Sequence, residues 1–158
     1  MAAKHGIDAF LGRNTGTWAS PTWSELTCVT EVTPDGGWDV VDILTRASRV
    51  KFGAKVILNI GFTMRVLCDD GDTGYTALMT AFRSLTATID LLMLDGPTTT
   101  LGSFGFRGHY QVAEGGQPQP ADDVLYREFR LVPYPQATET PQYAEVTTGP
   151  AITYTAVG

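Results

Sequence analysis

Four short segments carry residue types that do chemistry elsewhere. The first is Ser103-Phe-Gly-Phe-Arg-Gly-His-Tyr110, where two Phe flank a Gly ahead of Arg and His. An RNA-recognition strand stacks bases on such a pattern, but it needs Lys or Arg then Gly before the Phe-Gly-Phe core, and Val and an aromatic after it. Here Gly102, Ser103, Arg107 and His109 stand at those four places. The stretch reads instead as a wall strand with Phe104, Phe106, Tyr110 and Val112 toward a core and Arg107, His109 and Gln111 on the other face. Gly102-Ser103-Phe104-Gly105 lacks a spacer of the hydrolase elbow, and no helix follows it. Only His5 and His109 are available as a base, so a serine triad is set aside. Asp69-Asp-Gly-Asp72 resembles part of a calcium loop but lacks the closing bidentate Glu. It reads as a strand-to-helix turn with an acidic cap. Asp39 and Asp42 lie near Arg46, and an Asp–Arg pair steadying a loop is simpler than paired-carboxylate catalysis. No catalytic residue, metal ligand or cofactor site is assigned.

The elements that would position these residues follow from periodicity. Residues 1–24 hold Gly6, Gly12, Gly16 and Pro21 without a sustained period, and read as an N-terminal arm. From Glu25, Leu26, Cys28 and Val32 alternate roughly with polar residues, as a half-buried strand requires. Pro34-Asp-Gly-Gly37 ends that strand, and residues 34–50 form an extended loop. Residues 51–67 make a long period-2 strand. Val56, Leu58, Ile60, Phe62, Met64 and Val66 occupy one face and Lys55, Asn59, Gly61, Thr63 and Arg65 the other. Tyr75, Leu78, Met79, Phe82 and Leu85 recur at helical spacing, giving a helix over about 73–85 capped by Asp72 or Thr73. Ala87–Leu94, Phe104–Val112 and Asp123–Val132 are further strands, and residues 134–158 form a C-terminal arm. The fold class is mainly β (α+β): an antiparallel β-sandwich or barrel spanning 25–133, with one flanking helix.

Composition narrows the function classes. Eleven Lys and Arg against 17 Asp and Glu leave a formal charge of -6 over 158 residues. A nucleic-acid binder relies on a basic stripe, and here the three Lys and eight Arg are scattered. Cys28 and Cys68 are too few for a disulfide framework and too far apart for a metal knuckle, which points to free thiols. Met1-Ala-Ala-Lys-His5 leads into a polar segment, so no secretory leader is expected, and the apolar runs are far shorter than a membrane span. The expectation is a soluble, intracellularly made protein. Trp18, Trp23 and Trp38 lie in or beside segments without regular periodicity. Either the arm folds back over its own sheet or these rings anchor a neighbouring subunit.

Four pieces resemble the tail tube (major tail) proteins of long-tailed bacteriophages. They are "GTWASPTWSELTCVTEVTPDGGWDVVDILTRASRVKF", "LDG" at Leu94–Gly96, "GFRGHYQV" at Gly105–Val112, and "QPQPADDVLYREFRLVP" ending at Pro133. The resemblance implies a non-enzymatic virion protein made in the host cytoplasm. Hexameric rings of it would stack into a tube through which DNA passes as cargo, alongside other phage tail proteins and without a membrane anchor. It also implies subunit and ring contacts through Trp18, Trp23, Trp38, Asp39, Asp42, Arg46 and Ser48. The polar strand faces supply lumen-facing candidates in Lys55, Asn59, Thr63, Arg107, His109 and Gln111. The alternatives are a tail terminator, head–tail joining or decoration protein, or a monomeric β-sandwich module binding sugar or peptide through its Trp-bearing loops.

Overall fold

Alternating apolar and polar residues favour paired strands. In a computed structural model, which describes residues 9–35, 37–43, 52–116, 124–134, 136, 138–148 and 151–157, they form eleven strands and one helix. The order is β1 (Phe10–Asn14), β2 (Trp23–Glu25), β3 (Val29–Pro34), β4 (Gly37–Ile43), β5 (Phe52–Asn59), β6 (Phe62–Leu67), α1 (Thr73–Arg83), β7 (Ile89–Leu94), β8 (Phe104–Gly116), β9 (Tyr126–Pro133), β10 (Gln142–Thr148) and β11 (Ala151–Ala156). The chain is mainly antiparallel β with a single helix among the described residues, as its periodicity requires.

The main sheet runs β2-β1-β7-β8-β9-β6-β3, with every neighbouring pair antiparallel. Its two end strands, β2 and β3, are consecutive in the chain. The connector between them bonds to both sides: Leu26 N–H donates to Leu11 O (2.9 Å), and Leu67 N–H donates to Cys28 O (2.9 Å). That linkage rolls the sheet into a barrel-like wall. Helix α1 packs against it with Tyr75, Leu78 and Ala81 buried among Phe62, Met64, Val66, Leu91, Tyr110, Phe129 and Leu131. Asp72 caps the helix, its Oδ1 accepting from Tyr75 N–H at 2.8 Å. The same bond is the main reason its carboxyl titrates below the usual range. The helix stops at Arg83, so Leu85, expected on its apolar stripe, is 96% exposed.

Strand β8 is a fork. One edge pairs with β7, while the other pairs with β10 over Phe104–Arg107 and with β9 from Tyr110 onward. The β10–β11 hairpin therefore packs over the second face of β7, where Leu92, Leu94, Ala144 and Val146 form a separate cluster with Phe10, Trp23, Ile152 and Tyr154 around it. Close approach at the fork requires Gly105, because a Cβ there would lie 1.7 Å from Met93 O. Just before it Gly102 has φ +82, in the left-handed region where glycine is favoured.

Several sequence expectations change. Residues 10–14 and 23–25 are strands of the main sheet and not part of an arm, and residues 142–148 and 151–156 form the β10–β11 hairpin. These segments carry few local signals, and long-range pairing with β7 and β8 decides their state. Within the expected loop 34–50, Gly37–Ile43 is strand β4, paired with β5 in a two-stranded sheet of its own. The long strand over 51–67 is interrupted at Ile60–Gly61, where Asn59 Oδ1 accepts from Gly61 N–H (2.9 Å) and Gly61 O accepts from Asp35 N–H (2.8 Å). The register carries across the break: Pro34 faces Phe62 and Gly37 faces Asn59. One ribbon therefore begins in the barrel wall as β3–β6 and continues as β4–β5.

Candidate subunit interface

The polar residues nearest to a constellation lie on the outer face of β7 and β8. Asp90 and Arg107 come from these adjacent strands, where Asp90 pairs with His109 and Leu92 with Arg107. Arg107 Nη2 donates to Asp90 Oδ2 at 2.7 Å and its Nε to Asp90 Oδ1 at 3.2 Å, a two-pronged pair. Nη2 also donates to Trp18 O (3.0 Å), and Asn14 Nδ2 donates to Asp90 Oδ2 (2.7 Å). The guanidinium is caged by rings: its Cζ lies 3.8 Å from the Trp18 centroid, 4.9 Å from Tyr154 and 5.1 Å from Trp23. His109 stacks on Trp18, with centroids 4.9 Å apart and planes at 21°, and its Nε2 bonds the Glu139 carboxylate. Trp23 Nε1 donates to Tyr154 Oη (2.9 Å), and burial pushes the Tyr154 phenol up. The group ties the 15–22 loop, the sheet and the C-terminal hairpin together. With its charges paired and covered it is a structural clasp, and offers a substrate no exposed nucleophile.

This arrangement corrects part of the lumen assignment. Arg107 is 1% exposed, so it faces Asp90 and Trp18 and not open space. The reason is the fork, which covers the Gly105–Arg107 face near the start of β8, while Phe104 on the other face, expected in the core, is 43% exposed. His109 is largely covered by Trp18 and Glu139, and Gln111 donates to Leu85 O at 3.1 Å. Thr63 is half-buried on β6, opposite Thr33 and Arg130, and Asn59 is exposed at the end of β5. Lys55 lies in β5 opposite Val40. Arg107, His109 and Gln111 are therefore engaged within the subunit, while Thr63 lies on β6 and Lys55 and Asn59 lie on β5.

Of the interface candidates, Trp18 and Trp23 are half-buried within their own subunit, so the first segment does fold back over the sheet. Trp38, Asp39 and Asp42 lie in β4, opposite Leu58, Ile57 and Gly53, and Asp39 is exposed. Arg46 and Ser48 lie outside the described residues. Sequence reasoning missed Asp90, Asn14, Glu139 and Tyr154 as the partners of Arg107 and His109. Only Asp90 left a signal, as a lone acid inside the apolar run Ile89-Asp-Leu-Leu-Met-Leu94.

Two other candidate motifs have structural roles. Ser103 is buried, and its Oγ donates to Pro97 O at 2.9 Å. Asp69 Oδ1 accepts from Gly71 N–H (2.9 Å) in the turn leading to the Asp72 cap.

Apolar surface remains open elsewhere. A groove of about 800 Å³ runs between β3, the starts of β1 and β8 and the end of β7, lined by Phe10, Leu11, Val29, Val32, Met93 and Phe106. Beside it Phe104, Phe106 and Tyr143 form an aromatic group with centroids 5.2–6.1 Å apart. Strand β3 pairs only with β6 among the described strands, so its outer edge is free next to this groove. The β4–β5 ribbon likewise has two free edges among the described strands. Free edges and contiguous apolar surface are features that association with another chain covers. No helix among the described residues is long and apolar enough to cross a membrane.

No protein-family model matches the chain, and no curated protein matches it. Solved structures do. A chain of the virion of a native gene transfer agent particle superposes with TM-score 0.60 at 11% identity, over 98% of this chain and 100% of that one. The SPP1 tail tube gives TM-score 0.66 at 10% identity, over 83% of this chain and 76% of that one. The sheath/tube terminator of an extracellular contractile injection system (PVC) gives TM-score 0.61 at 9% identity, over 90% and 98%. The tail of the empty gene transfer agent particle, solved with sixfold symmetry, matches with TM-score 0.59 at 10% identity, again over 98% and 100%. The chain has the fold of phage tail-tube proteins.

Proposed function

We propose that this chain is the structural subunit of a phage tail tube. It assembles into hexameric rings that stack into a hollow conduit for DNA ejection, within a virion and beside other tail proteins. The observation that carries the reading is agreement in fold with chains of a solved tail and a solved tail tube over 98% and 83% of this chain. The free edges of β3, β4 and β5 and the apolar groove support it, since open-ended head-to-tail contacts build filaments from one kind of chain. A formal charge of -6 suits a conduit that must release DNA and not grip it. Lys55, Asn59 and Thr63 remain the lumen candidates. Trp38, Asp39 and Asp42 of β4, together with Arg46 and Ser48, remain the candidates for contact with the next subunit. We assign no enzymatic activity.

Likeness to a tube terminator supports a second reading, in which the chain closes a tube with a single ring. Electron microscopy of the purified protein separates the two. Stacked rings growing into tubes are expected, single rings that never stack would favour the terminator, and a strict monomer at high concentration would overturn both.

A further inference from the structure

On the opposite side of β1 from the clasp, Arg13 has no hydrogen bond, ion pair or ring contact among the described residues, and its Nε is buried without an acceptor. It shares the strand face of buried Leu11 and is itself half-buried at the margin of the core beneath α1. An uncompensated buried guanidinium donor is rare, because losing water without gaining an acceptor is costly. The residue lines a cleft of about 570 Å³ bounded by the 70–73 turn, the Thr76–Ala81 side of α1 and the start of β7. The first turn of α1 borders the cleft, but the Asp72 carboxylate already caps it, so the attraction for an anion comes from Arg13.

We propose that this cleft receives one carboxylate from a second copy of the chain, held by the Arg13 fork. The proposal rests on the assembly reading above for the presence of that copy. Chemistry selects the ligand. A guanidinium matches a carboxylate in two parallel hydrogen bonds. Asp90 borders the cleft but is already paired with Arg107 and hydrogen-bonded by Asn14. Asp70 lies on the rim without an ion pair to Arg13, and its charge disfavours a doubly charged phosphate more than a single carboxylate. Thr76 and Thr80 spend their hydroxyl protons on Asp72 O and Thr76 O, so they turn lone pairs toward the cleft and offer an oxyanion no further donors. Each copy carries 17 acidic against 11 basic residues, and exposed Asp39, Glu128 and Glu145 have no ion-pair partner among the described residues. The supply of unmatched carboxylates is therefore the neighbouring chain itself.

The test uses full-length protein under assembly conditions. In R13K a carbodiimide can join the introduced amine to a carboxylate in contact with it. With isotopically mixed chains, mass spectrometry is expected to find residue 13 joined to an acid of a different copy. R13Q is expected to raise the concentration needed for assembly by about tenfold or more, with the thermal midpoint of the subunit unchanged. A cross-link to Asp70 of the same chain, or assembly of R13Q at the wild-type concentration, overturns the proposal and leaves the tube reading standing. So does a thermal midpoint raised by inorganic phosphate in the wild type and not in R13Q, which would make the ligand a free anion. A wild-type chain that never assembles removes both readings.

Discussion

Arg107 is the residue on which most of the outer face depends. Its charge is held by Asp90, its plane lies over Trp18, and both Tyr154 and Trp23 are within cation–π range. Removing one member of a buried ion pair leaves the other charged and dry, which costs about 3–5 kcal/mol. Arg107→Ala is therefore expected to lower the unfolding free energy by that amount, and an unchanged urea curve would show the pair to be dispensable. Asp90 and Arg107 replaced together by apolar residues should recover part of the loss, because neither charge is then stranded. Cys28 makes a second prediction at this scale. Burial, reinforced by the Asp72 carboxylate, pushes its thiol from 9.0 up to about 12. The folded chain keeps a proton that the unfolded chain releases from about pH 9, so this site lowers stability as pH rises from 9 toward 12. Iodoacetamide at pH 9 is expected to label half-buried Cys68 well before Cys28, with equal labelling in denaturant. Equal rates in the native protein would contradict the burial of Cys28.

Strand β8 and its fork matter most among the elements. Its 13 residues pair with β7, β9 and β10, so both cores meet along it. Gly105 stands where β7 and β10 both abut, opposite Leu94 on one side and Ala144 on the other. An added methyl would occupy the space of the Met93 carbonyl, and that atom is backbone and cannot rotate away. Gly105→Ala is expected to destabilise the chain by about 3 kcal/mol or more, as overpacking with a forced backbone shift does. Hydrogen exchange should quicken in β10–β11 before it does in β6–β9, since the fork is where that hairpin's strand pairing to the sheet begins. A uniform change across all strands would show that the hairpin is not a separate cooperative unit. Helix α1 was legible in advance from its spacing and its Asp72 cap, because both signals are local. The pairing of Phe10–Asn14 with Ile89–Leu94 was not, because neither segment carries a mark of its partner.

For the whole molecule, the β4–β5 ribbon is a two-stranded sheet separate from the main one. A two-stranded ribbon without a sheet or helix behind it is marginally stable in water. In the proposed assembly another copy would supply that packing. Replacing residues 38–58 by a short turn is expected to leave the thermal midpoint nearly unchanged while abolishing tubes, read by calorimetry and electron microscopy. Unfolding on deletion would make the ribbon part of the subunit core. Substitutions at Trp38 or Arg46 should follow the same division, weakening assembly more than folding.

The sequence by itself determined that the chain is an antiparallel β protein with one capped helix, that β7 is dry on both faces, and that no segment carries a complete catalytic motif. These properties are written in periodicity and turn chemistry, which depend on neighbours a few residues away. The four resembling pieces also placed it beside tail-tube proteins. Only the tertiary structure decided that Arg107 faces Asp90 and Trp18, that the first and last segments are strands, and that the long strand bends at Gly61 from barrel wall into ribbon. Those outcomes depend on which distant strand lies alongside. The cover over the Gly105–Arg107 face of β8 comes from a hairpin some forty residues further along the chain, and nothing in Ser103-Phe-Gly-Phe-Arg-Gly-His-Tyr110 encodes it.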